Sequence, residues 1–312
     1  MHAGRGAGPS ATSRTAEVGG PVHFVDFGGP AGAPLLVCVH GLGGSHVNWL
    51  AIGPPLAQDH RVLAVDLPGH GLTPPACRPA TVQANRRLLD RFLHEVVRGP
   101  AILVGNSMGG LITLLQATAA PSTVAGAVLV DPALPLPGLA RPDRLVARQF
   151  LLYAVPVVGE RYLAWERRGT AEELVRRVLA LCCVDPERVP ADVVEASVAL
   201  ARRRKGQQGL ERAFLEAARS LLWLLGRRAR ARAMIAAVTA PVLLLHGDSD
   251  RLVTLAAARA TAAANPSWRF EVAADTGHVP MLERPEWTVA VIRDWLAREG
   301  AAAARAARPA TT

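Results

Sequence analysis

The sequence is poor in cysteine, and this scarcity limits the kinds of site it can build. Four cysteines in 312 residues are too few for a disulfide framework in a chain of this length. Cys182 and Cys183 are adjacent, and no cysteine–histidine spacing resembles a zinc site. The first 20 residues lack the apolar core of a secretory signal, and no uncharged apolar run is long enough to span a bilayer. These absences predict a soluble, cytoplasmic protein with reduced thiols and no bound metal.

Aromatic residues are also scarce, at 4% of the chain, whereas the formal net charge is +9. Residues 134–235 hold 19 lysines or arginines and 11 acidic residues, so most of the basic excess lies in this middle segment. Because these basic residues are mixed with acids and rarely alternate with aromatics, the pattern argues against nucleic-acid binding. It favours a solvated helical surface. Peripheral contact with an anionic membrane or an acidic partner is the alternative.

Apolar segments and amphipathic segments alternate along the chain. Half of the residues are hydrophobic, enough for a large core. Short apolar runs typical of strands buried on both faces lie at 35–39, 62–65, 101–104, 125–130, 242–245 and 269–273. Helical spacing of apolar residues occurs at 81–98 and 285–298. This alternation predicts an α/β fold with a mostly parallel, doubly wound sheet.

The pattern changes in the middle of the chain, where strand-like runs stop. Between 134 and 238 we find only amphipathic helical stretches separated by proline and glycine, which predicts a helical cap inserted into the α/β core. The core would comprise 21–133 and 239–299, and the termini at 1–20 and 300–312 would be disordered tails. The aromatic residues of the cap suggest an apolar pocket roof, although most of them are expected to form the cap's own core: Phe150, Tyr153, Trp165, Phe214 and Trp223.

The segment Gly105-Asn106-Ser107-Met108-Gly109 matches G-x-S-x-G between a strand and an apolar helix. In that context the serine occupies a sharp turn, where neighbouring glycines relieve crowding. The N-terminus of the following helix also favours negative charge. Ser107 is therefore a candidate nucleophile, and the backbone N–H of Met108 is a candidate oxyanion donor.

A second oxyanion donor is expected from the loop VHGLGGSHVNW (39–49) after the strand at 35–39. We assign it to the backbone N–H of Leu42, with Gly43 as the second choice. The loop lacks the G-x-x-x-x-G-K-[ST] pattern of a phosphate-binding loop, so no nucleotide is expected there.

A general base and an orienting acid are expected on late loops. His278, in DTGHVPMLERP, follows the last strand and precedes the last helix, which favours it over the other histidines. Asp250, in GDSDRLV, is the favoured acid, and Asp248 is expected to brace its turn. Asp131 follows the strand at 125–130 and is the alternative acid.

The order Ser107, Asp250, His278 resembles that of the α/β-hydrolase superfamily, in its capped branch of esterases, C–C bond hydrolases and cofactor-free haloperoxidases. The blocks VHGLGGS, VDLPGHGLT, GNSMGG, GDSDRLV and GHVPMLERP are each similar to a recurrent block of that superfamily, in the same order. The resemblance covers about 22 to 298 apart from the cap. It also implies that His70 is structural.

This resemblance implies an α/β-hydrolase fold and a serine hydrolase that needs no cofactor. A carboxylic ester or thioester of a mostly apolar small molecule is the leading substrate class. Two alternatives stay open: C–C bond hydrolysis or perhydrolysis on the same triad, and a receptor-like protein with little turnover. The serine nucleophile separates the chain from relatives of this fold that use an aspartate.

Overall fold

Eight strands form one mixed sheet in the computed structural model, which describes residues 11–298 apart from 76, 77, 139 and 167. The strands are β1 (Thr12–Glu17), β2 (Pro21–Gly28), β3 (Leu35–Val39), β4 (Arg61–Val65), β5 (Ala101–Asn106), β6 (Val124–Val130), β7 (Val242–Gly247) and β8 (Arg269–Ala273). Their spatial order is β1-β2-β4-β3-β5-β6-β7-β8. β2 is antiparallel to both of its neighbours, and the other pairs are parallel. The predicted α/β-hydrolase fold is confirmed, including all six predicted strands.

Helices flank both faces of the sheet and fill the long connection between β6 and β7. The α-helices are α1 (Gly53–Leu56), α2 (Val82–Phe92), α3 (Met108–Ala119), α4 (Arg144–Ala154), α5 (Val158–Glu166), α6 (Ala171–Cys182), α7 (Ala191–Arg204), α8 (Leu210–Gly226), α9 (Arg228–Ala236), α10 (Leu255–Ala264), α11 (Pro280–Glu283) and α12 (Pro285–Arg298). A π-helical turn, Leu93–Val97, extends α2, and short 3-10 turns lie at His46–Trp49, Pro121–Thr123 and Pro186–Arg188. Helices α4 to α9 all lie between β6 and β7, with no strand among the described residues of that segment.

The central strands are apolar on both faces because two separate cores pack against the sheet. Val37 and Leu103 belong to the core that includes α2 and α3. Their chain neighbours Cys38 and Ile102 belong to the core that includes α12. Successive side chains of a strand point to opposite faces, so continuous apolar runs are required wherever both faces are covered.

The predicted disordered tail at 1–20 is wrong for residues 12–17, which form β1 and pair antiparallel with β2. This strand was missed because it lies at the sheet edge with nearly every side chain exposed, so no apolar periodicity marks it. The backbone groups of β2 hold it, together with a hydrogen bond between Ser13 Oγ and His23 Nε2 (2.7 Å). The predicted tail at 300–312 and residues 1–10 lie outside the described residues.

None of the described helices combines the length and the apolar character needed to cross a bilayer. The longest of them, α8, has 17 residues and carries charged side chains such as Glu216 and Arg219.

Candidate active site

Six parallel strands, β4, β3, β5, β6, β7 and β8, end side by side at one edge of the sheet. The pairing of Val39 with Gly105, of Asn106 with Val130 and of Gly247 with Ala273 fixes this alignment. The loops that follow these strands therefore start from the same edge, as is usual for ligand sites in open α/β sheets. These loops carry Ser107, Asp250 and His278.

Ser107 is the single residue between β5 and α3. Its backbone has φ 53° and ψ −118°, a conformation that costs a residue with a side chain of order 1–3 kcal/mol. Two hydrogen bonds hold the turn: Ser107 N–H donates to Val130 O (3.1 Å), and Ala133 N–H donates to Ser107 O (2.9 Å). Ser107 is partly exposed, although the residues on both sides are buried. The structure thus places a strained, accessible serine at the start of a helix.

Two glycines allow other chain segments to lie directly against this turn. A Cβ atom at Gly109 would lie 2.0 Å from Val39 O, so a side chain there would separate α3 from β3. A Cβ atom at Gly41 would lie 2.9 Å from Ser107 Cβ. The loop that carries Leu42 is therefore packed against the serine.

The backbone N–H groups of Leu42 and Met108 have no hydrogen-bond acceptor among the described residues. Met108 is the first residue of α3, where a helix leaves its N–H groups unsatisfied. Gly43, the second choice, has φ 75° and packs close to the Phe214 ring. Both predicted donors are thus available on segments that touch Ser107.

Two buried histidines brace these loops and are held neutral. His40 accepts a hydrogen bond from Leu67 N–H at Nε2 (3.0 Å) and donates from Nδ1 to Gly41 O (2.7 Å). Burial lowers the pKa of His40 to about 4 and that of His70 to about 3. His70 donates from Nδ1 to Pro68 O (3.0 Å) within its own loop. Neither ring is placed to act as a base on Ser107 at neutral pH.

These two histidines should make folding stability depend on pH. Each folded pKa lies below the unfolded value of about 6.5, so the unfolded chain binds more protons than the folded chain between these two pKa values. The free energy of unfolding therefore falls as the pH falls through this range. Between pH 7 and pH 5 we expect a loss of about 2 kcal/mol per histidine in the free energy of unfolding. Urea titrations at the two pH values measure this.

The matched variants for that experiment are His70→Leu and His94→Gln. His94 has 62% of its side chain exposed, so replacing it should leave the pH dependence unchanged. Replacing His70 should reduce the loss by about 2 kcal/mol. A free energy of unfolding that is the same at pH 7 and pH 5 would contradict the assignment of neutral, buried rings.

His278 and Asp250 lie in direct contact. His278 Nδ1 is 2.7 Å from Asp250 Oδ2, and both side chains are buried. Asp250 Oδ1 accepts hydrogen bonds from the N–H groups of Leu252 (2.7 Å) and Val253 (3.0 Å). Burial by itself would raise the pKa of Asp250, but the charge and hydrogen bond of His278, with smaller effects from His246 and Val253, lower it overall. An ionised Asp250 keeps the proton of His278 on Nδ1 and leaves Nε2 with its lone pair.

The serine turn is joined to the histidine loop through Asn106. The Asn106 side-chain amide donates to Val130 O (3.0 Å) and to His278 O (3.2 Å). The Ser107 hydroxyl itself makes no hydrogen bond with any described residue. Hydrogen bonds of this kind are often long or absent without substrate and form in the complex. The structure therefore brings the predicted base and acid into direct contact, and Asn106 links the turn of Ser107 to the backbone of His278.

Asp131, the alternative acid, lies behind this pair rather than on His278. It is fully buried at the end of β6, with φ 45°, and its Oδ1 accepts a hydrogen bond from Gly247 N–H (2.9 Å). Burial, and next the charge of Asp250, raise the pKa of Asp131 well above its usual value. His246 Nδ1 lies 3.5 Å from Asp131 Oδ1. The raised pKa favours the neutral form of Asp131 next to Asp250.

Asp248 is exposed and remote from the His278 ring. Its carboxylate accepts hydrogen bonds from Ser249 Oγ (2.9 Å) and from Thr276 N–H (3.4 Å). These bonds connect the Asp250 loop to the His278 loop on the solvent side, so Asp248 braces the turn.

The segment after α6 is fastened to the histidine loop by contacts that the sequence did not reveal. His278 N–H donates to Cys182 O (2.6 Å). The buried carboxylate of Glu283 accepts from Asp185 N–H (2.8 Å) and from Gly277 N–H (2.8 Å). Glu283 therefore bridges the helical segment and the histidine loop. The sequence around Glu283, VPMLERP, contains no local pattern that predicts this bridging role.

An ion pair on the surface completes this attachment. Arg188 donates to Asp275 Oδ2 (2.6 Å) and to Asp275 O (2.7 Å). Arg188 Nη1 also lies 3.8 Å from Glu283 Oε1. A shift of the segment Cys182–Arg188 would therefore pull on the backbone of His278.

The apolar pocket roof stays a prediction, but three of its five aromatic residues pack into one cluster. Tyr153 and Leu215 form a small buried cluster, against which Phe150, Phe214 and Leu42 pack. Trp165 and Trp223, in contrast, are 60% and 50% exposed, so they lie on the outer surface. Both lie on the solvent-facing side of their helices, whereas the roof was predicted from aromatic composition alone.

Two clusters of histidine and carboxylate groups lie close enough to hold a cation: Asp131–Asp250–His278, and His23–His46–Asp66. In the second, the Nδ1 atoms of His23 and His46 lie 2.7 and 2.8 Å from Asp66 Oδ2, the spacing of hydrogen bonds. The donors already satisfy the carboxylate, so this cluster ties β2 to the loops after β3 and β4.

Comparison with known proteins agrees with this architecture. A dihydrolipoyllysine-residue acetyltransferase component of an acetoin-cleaving system from Pseudomonas putida is 40% identical over 37% of this chain. The match spans only 31% of that protein's length. A pimeloyl-[acyl-carrier protein] methyl ester esterase from Aromatoleum aromaticum is 32% identical over 84% of this chain and 97% of its own.

Among solved structures, a 2-hydroxy-6-oxo-6-phenylhexa-2,4-dienoate hydrolase from Rhodococcus superposes with a TM-score of 0.72 at 23% identity, over 91% of this chain and 98% of its own. The model of the alpha/beta hydrolase family matches residues 36–291, which include every loop of the site. This chain therefore belongs to the α/β hydrolase family.

Proposed function

We propose that the protein is a serine hydrolase that cleaves a carboxylic ester or thioester of a mostly apolar substrate. The observation that carries the proposal is the 2.7 Å contact between His278 Nδ1 and Asp250 Oδ2, at the same edge of the sheet as the strained turn of Ser107. The relative from Aromatoleum aromaticum is named as an esterase of an acyl methyl ester, which supports the same substrate class.

The first half of the proposed reaction forms an acyl-enzyme. Nε2 of His278 takes the Ser107 proton while Oγ attacks the substrate carbonyl carbon, and the developing oxyanion is held by the N–H groups of Leu42 and Met108. Asp250 stabilises the imidazolium that forms. The tetrahedral intermediate then collapses, and the proton on Nε2 passes to the departing alcohol or thiol.

The second half repeats this chemistry with water. His278 removes a proton from a water molecule, which attacks the acyl carbon on Ser107. The same two N–H groups hold the second oxyanion, and Oγ recovers its proton as the acid leaves. Each donor in the oxyanion site is worth about 100- to 1,000-fold in kcat in enzymes of this kind.

An ester panel tests the proposal. We expect turnover of p-nitrophenyl esters, with kcat/KM rising with acyl chain length until the apolar site is filled. Thioesters of the same acyl groups separate the two leaving groups, and a vinylogous diketone reports C–C bond cleavage. Turnover of the diketone alone would replace the ester proposal by C–C bond hydrolysis, and no turnover of any of the three would favour a receptor.

A further inference from the structure

The hairpin formed by α4 and α5, residues 144–166, exposes large apolar side chains. Leu145, Leu151, Val157 and Trp165 are 63%, 65%, 61% and 60% exposed. They account for the most exposed large apolar residues of the described chain and come from one short segment. Contiguous exposed apolar surface of this kind marks an interaction site.

On α4 the exposed apolar residues share one face with arginines. Arg144, Leu145, Arg148 and Leu151 are all exposed, at spacings of one, four and seven residues. Such spacings lie on a single side of an α-helix. The outer face of α4 therefore alternates apolar and cationic groups.

Helix α5 continues the same composition. Val158, Arg161 and Trp165 are exposed at spacings of three and seven residues, which again define one face. Val157, in the turn between the helices, joins the two faces. A helix that presents Leu, Val and Trp with Arg outward is typical of segments that lie in the interface of a membrane.

The arginines of this face carry uncompensated charge. Arg144, Arg148 and Arg161 form no ion pair with any carboxylate of the described residues. The face is therefore positive as well as apolar.

The acidic residues of the hairpin have partners other than the arginines of this face. Glu160 pairs with Arg219 (3.0 Å), and the carboxylate of Glu166 accepts hydrogen bonds from Tyr153 and Gln149. Neither carboxylate neutralises the outward-facing arginines.

The inner side of the hairpin reaches the proposed oxyanion loop. Tyr153 and Leu163 are buried against Phe214 and Leu42. The ring of Phe214 also lies against Gly43, where an added Cβ would be 3.3 Å from it. One side of the hairpin thus packs against the loop of Leu42, and the other side is exposed.

We propose that the outer face of the α4–α5 hairpin docks the enzyme on an anionic phospholipid bilayer, from which its apolar substrate is drawn. The inference rests on the proposed function for its substrate but not for the docking itself. Charge complementarity selects anionic lipid, because the uncompensated arginines would repel a second copy of this face. The apolar half of the face selects a bilayer over a soluble acidic protein, because a bilayer accepts Leu and Trp side chains below its headgroups.

Vesicle sedimentation with the Ser107→Ala variant tests docking independently of catalysis. We expect binding to vesicles of phosphatidylcholine with one quarter phosphatidylglycerol, little binding to phosphatidylcholine alone, and weakening with added salt. Arg148→Glu and Leu151→Glu should each weaken binding about tenfold or more. Arg259→Glu on α10 and Val272→Glu on β8 are the matched exposed controls and should bind as the parent does.

Three results would overturn the docking proposal. They are no binding to the anionic vesicles at low salt, equal weakening by the hairpin and control variants, and equally tight binding to soluble polyglutamate, which would point to an acidic protein instead. Rates on a water-soluble acetate ester, measured in the wild-type background, report separately on the proposed function. Normal ester hydrolysis without vesicle binding would therefore contradict the docking proposal and leave the proposed function unaffected.

Discussion

Replacing Ser107 by alanine is expected to lower kcat for p-nitrophenyl ester hydrolysis by about 10⁵-fold or more. The reason is that Oγ is the atom that forms the acyl-enzyme, and no other described hydroxyl shares the strained turn between β5 and α3. The backbone donors of Leu42 and Met108 would remain and leave a small rate above that in water.

The measurement is a comparison of initial rates with purified wild-type and variant protein, at substrate concentrations that separate kcat from KM. Ser122→Ala is the matched control, since Ser122 is exposed in the turn Pro121–Thr123 that precedes β6. It should retain the wild-type rate. A Ser107→Ala variant that keeps more than about one hundredth of the activity would show that another nucleophile is at work.

Replacing Asp250 by asparagine should lower kcat by about 10⁴-fold, whereas Asp131→Asn should lower it only a few-fold. Asparagine at 250 can donate to His278 Nδ1 and thereby move the ring proton to Nε2, which removes the base. Asp131 is different, because burial and the neighbouring Asp250 charge raise its pKa and favour its neutral form. An amide at 131 preserves a neutral donor and acceptor of similar size.

The pair of variants decides between the two acids that the sequence left open. Both are isosteric, and both remove a carboxyl group from the same buried cluster of Asp131, Asp250, His246 and His278. Unfolding curves for both exclude a loss of fold as the cause. If instead Asp131→Asn lowered kcat by about 10⁴-fold and Asp250→Asn lowered it only a few-fold, the orienting acid would be Asp131, at the end of β6.

Much of the fold could be predicted because its signals are local. Buried parallel strands such as 101–104 read as continuous apolar runs, and a G-x-S-x-G turn after such a strand is specific for its backbone context. The order of strand ends then limits the acid and base to few residues. The strand Thr12–Glu17 lacked any signal, since it is held by backbone pairing and not by burial.

The supporting contacts of the site could not be predicted because they are tertiary. Glu283 becomes a bridge only when Asp185, nearly a hundred residues earlier, is folded against it. The carbonyl of Cys182 binds the N–H of His278, and a backbone carbonyl carries no sequence signature. The raised pKa of Asp131 likewise depends on its burial and on the charge of Asp250 on the neighbouring strand end.

The outward position of Trp165 shows the opposite error. Composition placed it in an apolar roof, but a helix can also present aromatic side chains at the surface when a membrane or a partner covers them. The positive charge of this face also depends on tertiary contacts, because Glu160 pairs with Arg219 and Glu166 accepts a hydrogen bond from Tyr153.

Covalent labelling by a fluorophosphonate tests the central claim most directly, because the reagent reacts with a serine only when a base and an oxyanion site activate it. We predict one label per chain in the folded wild-type protein, located on Ser107 by peptide mass mapping, and no label in Ser107→Ala or in heat-unfolded protein. A folded protein that stays unlabelled, or a label on a different serine, would contradict the assignment of Ser107 as the nucleophile.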